Sequence, residues 1–411
     1  MVNGVWKASV PALLCLVFCP AARASAEGCA APPGTASGQA FYVDPQHGSM
    51  ANDGSAASPW STLQAVIADG RIATPVYVTP YRRDGGLRSA NPNGQVHPGD
   101  TIYLRSGDHG EVELTGVNAR YITIAAERGQ TPVVDQLTAY GASRWIIRGL
   151  TFRREGGGWL VRFLDHAYRG PSDNIVFEGN TLYSNIDVSR WSQADWQARG
   201  INGMVDDATC STIRYNRLFN IRNGIAIGGA NSRVQFNLID NFADDGIDFT
   251  ASDLRIAGNR IANNHAIGDG NHNDGIQGWT YADGGRENVT IADNVVINAT
   301  EPMMALPGSL QGITIFDGHW RNVSVVDNTI LTNAWHGIAL YGVRDSKIEG
   351  NTVVGVNPEH TTWIRVTGMK PAQGGAPSRN VSVRHNVATL YALPDDRSEA
   401  FSDGNVTDGE H

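Results

Sequence analysis

The chain has 411 residues, 18% of them charged and 41% hydrophobic, and carries a net charge of −9. Arginine dominates the cations, lysine occurring only at Lys7, Lys347 and Lys370. With no basic run and no basic amphipathic helix, the chain offers little to nucleic acid and nothing to lie on a membrane surface.

Residues 1–26 have the layout of a secretory signal peptide. Lys7 supplies the positive start, residues 10–19 are apolar except for Pro11, and Ala22-Arg23-Ala24 and Ala24-Ser25-Ala26 offer small-residue cleavage sites. The apolar run is too short to span a bilayer. The mature chain is therefore expected to be secreted to the periplasm or beyond, soluble, monomeric and without membrane insertion. Cys15 and Cys19 leave with the signal. Cys29 and Cys210 could pair in an oxidising compartment, but Cys29 lies in a flexible tail over residues 27–40, which argues against it. No Cys-x-x-Cys is present to suggest zinc.

Pro59-Trp60-Ser61-Thr62-Leu63-Gln64-Ala65-Val66-Ile67 reads as an amphipathic helix that would cap an open strand edge. Short strands follow at Thr101-Ile102-Tyr103-Leu104, Tyr121-Ile122-Thr123-Ile124 and from Trp145 to Phe152. From about residue 174 two registers recur. An asparagine closes a β run at Asn180, Asn216, Asn237, Asn259, Asn294, Asn328, Asn351 and Asn386. The pattern Gly-Ile-x-apolar recurs from Gly224, Gly246, Gly275, Gly312 and Gly337. The tightest spacings are 21 to 23 residues, and the wider ones fit the same unit with a loop inserted. Such a period marks a solenoid. The fold class is all-β, a right-handed parallel β-helix over residues 41–393, with isoleucines stacked inside, asparagines bonding successive turns, and a loose polar tail over residues 394–411.

Phe41-Tyr42-Val43-Asp44-Pro45, Gly48-Ser49, Asn52-Asp53-Gly54-Ser55 and Pro59-Trp60-x-Thr62-Leu63 resemble the N-terminal segment of secreted β-helix polysaccharide lyases. The asparagine and Gly-Ile registers resemble the carbohydrate-binding and sugar-hydrolase repeats of that superfamily. The resemblance covers most of the mature chain. It implies a polysaccharide substrate, but the superfamily includes lyases, hydrolases, epimerases and phage tailspikes, so it does not select a reaction.

Within Gly-Ile-x-apolar the residue x points outward. Its ladder reads Arg162, Asn202, Ala226, Asp248, Gln277, Thr314, Ala339 and Arg365. The residue before each glycine gives a second ladder: Arg199, Asn223, Asp245, Asp274, Gln311 and His336. Asp245 and Asp274 should sit about 4.8 Å apart on adjacent strands, with Asp244 and Asp248 nearby. Carboxylates that close either raise a pKa, giving a general acid, or hold a cation. Asp244, Asp245, Asp248 and Asp274 are thus a possible calcium site, and no organic cofactor is implied. His265 and His272 could act near neutral pH. Trp191, Trp196, Trp279 and Trp335 lie in or beside inserted loops, where they could face sugar or pack against the coil; Trp279-Thr280-Tyr281 leaves the most decorated coil. His319 and Trp320, near Asp317, are weaker choices.

β-Elimination needs a base for the proton α to a uronate carboxylate and something to neutralise that carboxylate. The chain offers His272, His336, Arg199 or Arg365 as base, with Gln277, Asn202, Arg199, Arg365, Trp279 and Arg162 as substrate contacts. The obstacle is that an acid-rich groove repels a polyanion. A glycoside hydrolase needs two carboxylates, which Asp248 with Asp245 or Asp274 could supply. Asp244-Asp245-Gly246-Ile247-Asp248 resembles the paired aspartates of β-helix polygalacturonases, but that family's Gly-His-Gly and Arg-Ile-Lys are absent. A non-catalytic carbohydrate-binding β-helix is the third reading. The lyase is the leading expectation.

Overall fold

Isoleucine at one place in consecutive coils builds the column around which the fold winds. A computed structural model describes residues 29, 38–280, 285–301 and 304–407. The signal segment and Tyr281 lie outside the described residues. Ile225, Ile247, Ile276, Ile313, Ile338 and Ile364 pair in parallel register, each on the next, and each is buried. Removing each such side chain from water stabilises the fold by about 1.5–3 kcal/mol. The apolar residues two places further on, Ile227, Phe249, Ile315 and Leu340, form a second interior column.

Each full coil lays down three strands. In one coil these are Ile225–Ile227, Arg233–Gln235 and Leu238–Phe242. The first and second sides join in a 22-stranded sheet, and the third forms a 12-stranded sheet. The corner between second and third sides carries the asparagine ladder. Asn237 shows the pattern: its Nδ2 donates to the Ile213 carbonyl and to Asn259 Oδ1, both at 3.0 Å, while its Oδ1 accepts from the backbone and side chain of Asn216. The ladder runs from Asn180 to Asn386 and continues to Asn405.

The N-terminal helix α1, Leu63–Ala68, is capped by the Thr62 hydroxyl and buries Leu63 and Val66; it is shorter than the expected Pro59–Ile67, because Trp60 instead bridges Val43. A second helix α2, Gln193–Arg199, opens with a Ser192–Asp195 capping box and was not foreseen.

Three expectations need correction. Cys29 and Cys210 are joined in a disulfide, their Cα atoms 5.3 Å apart across 181 residues of sequence. The stretch after Leu393 is not all loose, because Ala400–Asp403 and Val406–Thr407 add strands to the two sheets. Alternation at Ala400 and the terminal Asn405 extends the repeat, which its polar composition disguised. Finally, Gly200-Ile201-Asn202 is not a Gly-Ile rung. Gly200 is the C-cap of α2, and the strand that stacks on Ile225–Ile227 is Asn202–Asp206 with Met204 inside.

Candidate active site

The register correction redraws both ladders. The outward ladder runs Arg162, Val205, Ala226, Asp248, Gln277, Thr314, Ala339, Arg365. Asn202 moves to the ladder at the strand entrance. There Asn223 Nδ2 donates to Asn202 Oδ1 at 3.2 Å, the Asp245 amide to Asn223 Oδ1 at 3.1 Å, and the Asp274 amide to Asp245 Oδ1 at 2.7 Å. Gln311 pairs next to Asp274. Arg199 leaves the ladder altogether: it forks onto Glu155 at 2.8 Å and stacks over Trp191 on the outside of α2.

Above the entrance ladder lies a cleft of about 470 Å³ lined by the loop over residues 266–273 and by Ser309, Gln311, Trp335, His336 and His360. Helix α2 braces that loop. Gln193 and Gln197 donate to the carbonyls of Ala266 and Ile267 at 3.3 and 2.6 Å, and Trp196, buried, stacks on His265. Trp191 and Trp196 are therefore packing residues. His265 is one too: it is buried, bonded to the Ala305 carbonyl at 2.7 Å, and burial lowers its pKa. His319 and Trp320 stand apart from the cleft, Trp320 sealed with its indole on the Asp317 carbonyl.

His272 hangs at the cleft rim with its side chain 57% exposed, and its Nδ1 lies 2.8 Å from Oδ2 of Asp274, whose carboxyl is fully buried. Thr314 Oγ1 donates to Asp274 Oδ1 at 2.6 Å and Gln277 Nε2 to Oδ2 at 3.2 Å. The carboxylate orients the ring and raises the His272 pKa, leaving Nε2 as the free nitrogen. Burial raises the pKa of Asp274, against which the His272 and Thr314 bonds act.

Asp245 and Asp248 flank this pair on the preceding coil, each half-buried in the groove floor. Crowding out of water pushes Asp248 up to about 8, reinforced by Asp274 and Asp244. Desolvation and then Asp248 hold Asp245 well above the usual carboxylate range. Asp248 is therefore largely protonated at neutral pH. Asp244 is raised to about 6 by burial despite Arg222, whose Nη2 is 2.9 Å from it. His336 is held neutral, its pKa lowered to about 4 by burial and by Arg365, and lies 3.4 Å from the Tyr341 hydroxyl.

Of the four carboxyls expected to hold calcium, Asp244 and Asp248 each keep Oδ1 without a partner, and the remaining oxygens are mostly engaged. Asp274 accepts hydrogen bonds on both oxygens, Asp244 is ion-paired, and Asp245 Oδ1 holds a backbone amide. Among the described residues no three acidic, histidine or cysteine side chains are grouped to hold a metal ion.

Arg162 and Arg365 lie three rungs from Asp248 and Gln277 respectively, about 14 Å at the strand spacing. Arg162 is bonded to Thr138 Oγ1 at 2.9 Å, and Arg365 packs over Tyr341 and Trp363. Trp279 follows the strand exit, half-buried. The aromatic wall of Phe316, Tyr341, His360 and Trp363 around His336 escaped sequence reading, because its members come from three coils with no shared motif. Polar atoms with no partner gather along this face: Asp248 Oδ1, Gln311 Oε1, Trp363 Nε1 and Arg365 Nε.

Residues 137–388 match the family model of the right handed beta helix region. The chain belongs to that family. No curated protein matches it. Among solved structures, this β-helix protein is similar to a pectate lyase at 14% identity and a TM-score of 0.42, over 90% of this chain and 80% of that one. It is similar to a mannuronic acid specific family 6 polysaccharide lyase from human gut microbiota at 14% identity and a TM-score of 0.46, over 78% and 84%. It is also similar to the A-module of a mannuronan C-5 epimerase from Azotobacter vinelandii at 16% identity and a TM-score of 0.37, over 76% and 91%. Likeness at this level concerns the fold. Among the described residues no helix is long and apolar enough to cross a membrane.

Proposed function

We propose that this β-helix protein cleaves a uronate-containing polysaccharide by β-elimination, with His272 as the base. The observation that carries the reading is the His272–Asp274 pair, 2.8 Å apart at the cleft rim, beside carboxyl groups held neutral. His272 Nε2 removes the proton α to the uronate carboxylate, a double bond forms between that carbon and its neighbour, and the bond from the neighbour to the glycosidic oxygen breaks. Asp248, protonated up to about pH 8, returns a proton to the leaving oxygen. Asp245 and the Gln277 amide hydrogen-bond the uronate carboxylate, and Arg365 offers charge further along the groove. Neutral acids remove the repulsion that an ionised acid-rich groove would exert on a polyanion.

The hydrolase needs a free, ionised carboxylate as nucleophile or water-activating base. Asp274 is sealed and bonded on both oxygens, and desolvation keeps Asp248 protonated up to about pH 8 and raises the pKa of Asp245. That favours elimination. The test is incubation with a panel of polyuronates while following the ultraviolet absorbance of unsaturated uronate ends. Absorbance gain with matching new reducing ends is expected. New reducing ends without absorbance would favour the hydrolase, and neither signal on any polymer would favour a binding protein.

A further inference from the structure

Two exposed aromatic rings sit on left-handed backbone at the asparagine corner. Tyr215 and Phe236 occupy the place just before Asn216 and Asn237, with φ of 56° and 55°. In other coils this place holds glycine, as at Gly179, Gly258, Gly350 and Gly404, a short polar residue, as at Asp293 and Asp327, or the polar ring of His385. A bulky side chain there is strained, and strain of this kind persists where something else selects for it. The rings stack at 5.3 Å with planes 10° apart, and they are 59% and 50% exposed. Phe236 leans over Gly258, where a Cβ would come within 2.5 Å of the ring. On the other side, the position of Gly179 opens on empty space.

Arginines surround the pair. Arg233 and Arg255 are neighbours on the second side, and Arg217 and Arg260 flank Leu238 on the third. All four are exposed. Among the described residues none of them forms an ion pair, whereas Arg214, beside Tyr215, is held by Glu178 at 2.7 Å. Acids share this surface: Asp240, bonded by Asn263 at 2.7 Å, Asp253, bonded by Asn288 at 2.8 Å, and Asp293 at the corner place one coil beyond Gly258. On a chain of net charge −9, four exposed arginines nonetheless border an apolar stacking surface, Arg217 packed over Phe219 at 4.6 Å. Each coil has three sides, so this corner faces away from the first-side groove.

We infer that the Tyr215–Phe236 corner is a second, non-catalytic binding surface for an acidic polysaccharide chain. The rings stack against the apolar faces of the sugars, and Arg217, Arg233, Arg255 and Arg260 meet their carboxylates. The inference rests on the reading that the substrate is a polyuronate. A second attachment raises the effective concentration of polymer at the groove without touching the reaction.

The test replaces Tyr215→Asn and Phe236→Asn together. Asparagine tolerates the left-handed conformation, so the strain falls and the melting temperature should hold or rise. With His272→Ala added to stop turnover, retardation in native gels is measured against polygalacturonate, polymannuronate, amylose and single-stranded DNA. The expected result is retardation by a polyuronate and not by amylose, weakened about tenfold by the double replacement. Arg217→Gln with Arg260→Gln should weaken it as well and flatten its salt dependence. With His272 restored, cleavage of short uronate oligosaccharides should be unchanged by the double replacement. Unaltered polyuronate retardation, no retardation by any polyuronate, or stronger retention of DNA would overturn the inference. Retardation that depends on Tyr215 and Phe236, with no cleavage of any polymer, would leave this surface standing and remove the elimination reading instead.

Discussion

His272 and Asp274 are two residues apart in sequence and opposite in environment, the imidazole at the solvent edge and the carboxyl sealed, joined at 2.8 Å. His272 ends the loop that enters the strand Asn273–Gly278, so it shares a face with Asp274 but stays at the rim, while Asp274 sits in the floor, where Thr314 and Gln277 complete its bonds. An imidazole held this way has one free nitrogen and one orientation.

His272→Gln should therefore lower turnover by about 10²–10⁴-fold, the usual worth of a general base. The melting temperature should stay near that of the parent, since the side chain is largely exposed. Near-parental kcat would exclude His272 as the base.

Asp274→Asn removes the hydrogen bond and then the charge that raise the His272 pKa. The base works deprotonated, so activity rises with pH through that pKa. The acidic limb of the pH–rate profile should move to lower pH in the variant, and imidazole titration by nuclear magnetic resonance should move with it. A limb that stays in place would show that the pairing does not tune the base.

Asp248 acts in its protonated form, so activity should fall as pH rises through about 8. Together with the His272 limb this gives a narrow bell. Asp248→Asn, which cannot ionise, should lose the alkaline limb along with most of the rate. An alkaline limb that survives the replacement belongs to another group.

Asp206 faces the interior, in register with Phe163 and Ile227. Burial pushes its carboxyl up to about 8 from 3.8, so folding takes up a proton between those values. This contribution to stability is complete below about pH 4 and is lost as pH rises toward 8. Asp206→Asn should raise Tm at pH 8 by about 2 °C or more and change it little at pH 4. Equal shifts at the two pH values would contradict the linkage.

Asn237→Ala would leave the Ile213 carbonyl and the groups of Asn216 and Asn259 without their partners. A loss of about 2–4 kcal/mol is expected for such a buried position, read as the shift in a chemical denaturation midpoint. A loss under half of the lower figure would mean that neighbouring coils close the gap.

The repeat was legible in the chain because it is written in short-range chemistry. Interior isoleucines and corner asparagines must recur once per coil, since each has a fixed neighbour above and below. The acids of the groove were legible for the same reason: Asp245 and Asp274 occupy one register, and only their spacing along the chain had to be counted. The error at Gly200 shows where counting stops. A glycine followed by isoleucine can end a helix as well as begin a strand, and only the packing of Trp196 on His265 decides which. The same helix settles which tryptophans pack and braces the His272 loop.

The amino-acid sequence by itself determined the fold, the approximate coil and the set of acids, because period and residue type are local properties. The tertiary structure decided the pairing of Cys29 with Cys210, the move of Asn202 and Arg199, and which of the clustered groups stays at the solvent edge and which are buried. Those depend on burial and on distances between coils that are far apart in the chain, and no spacing in the sequence encodes how much water each carboxyl keeps.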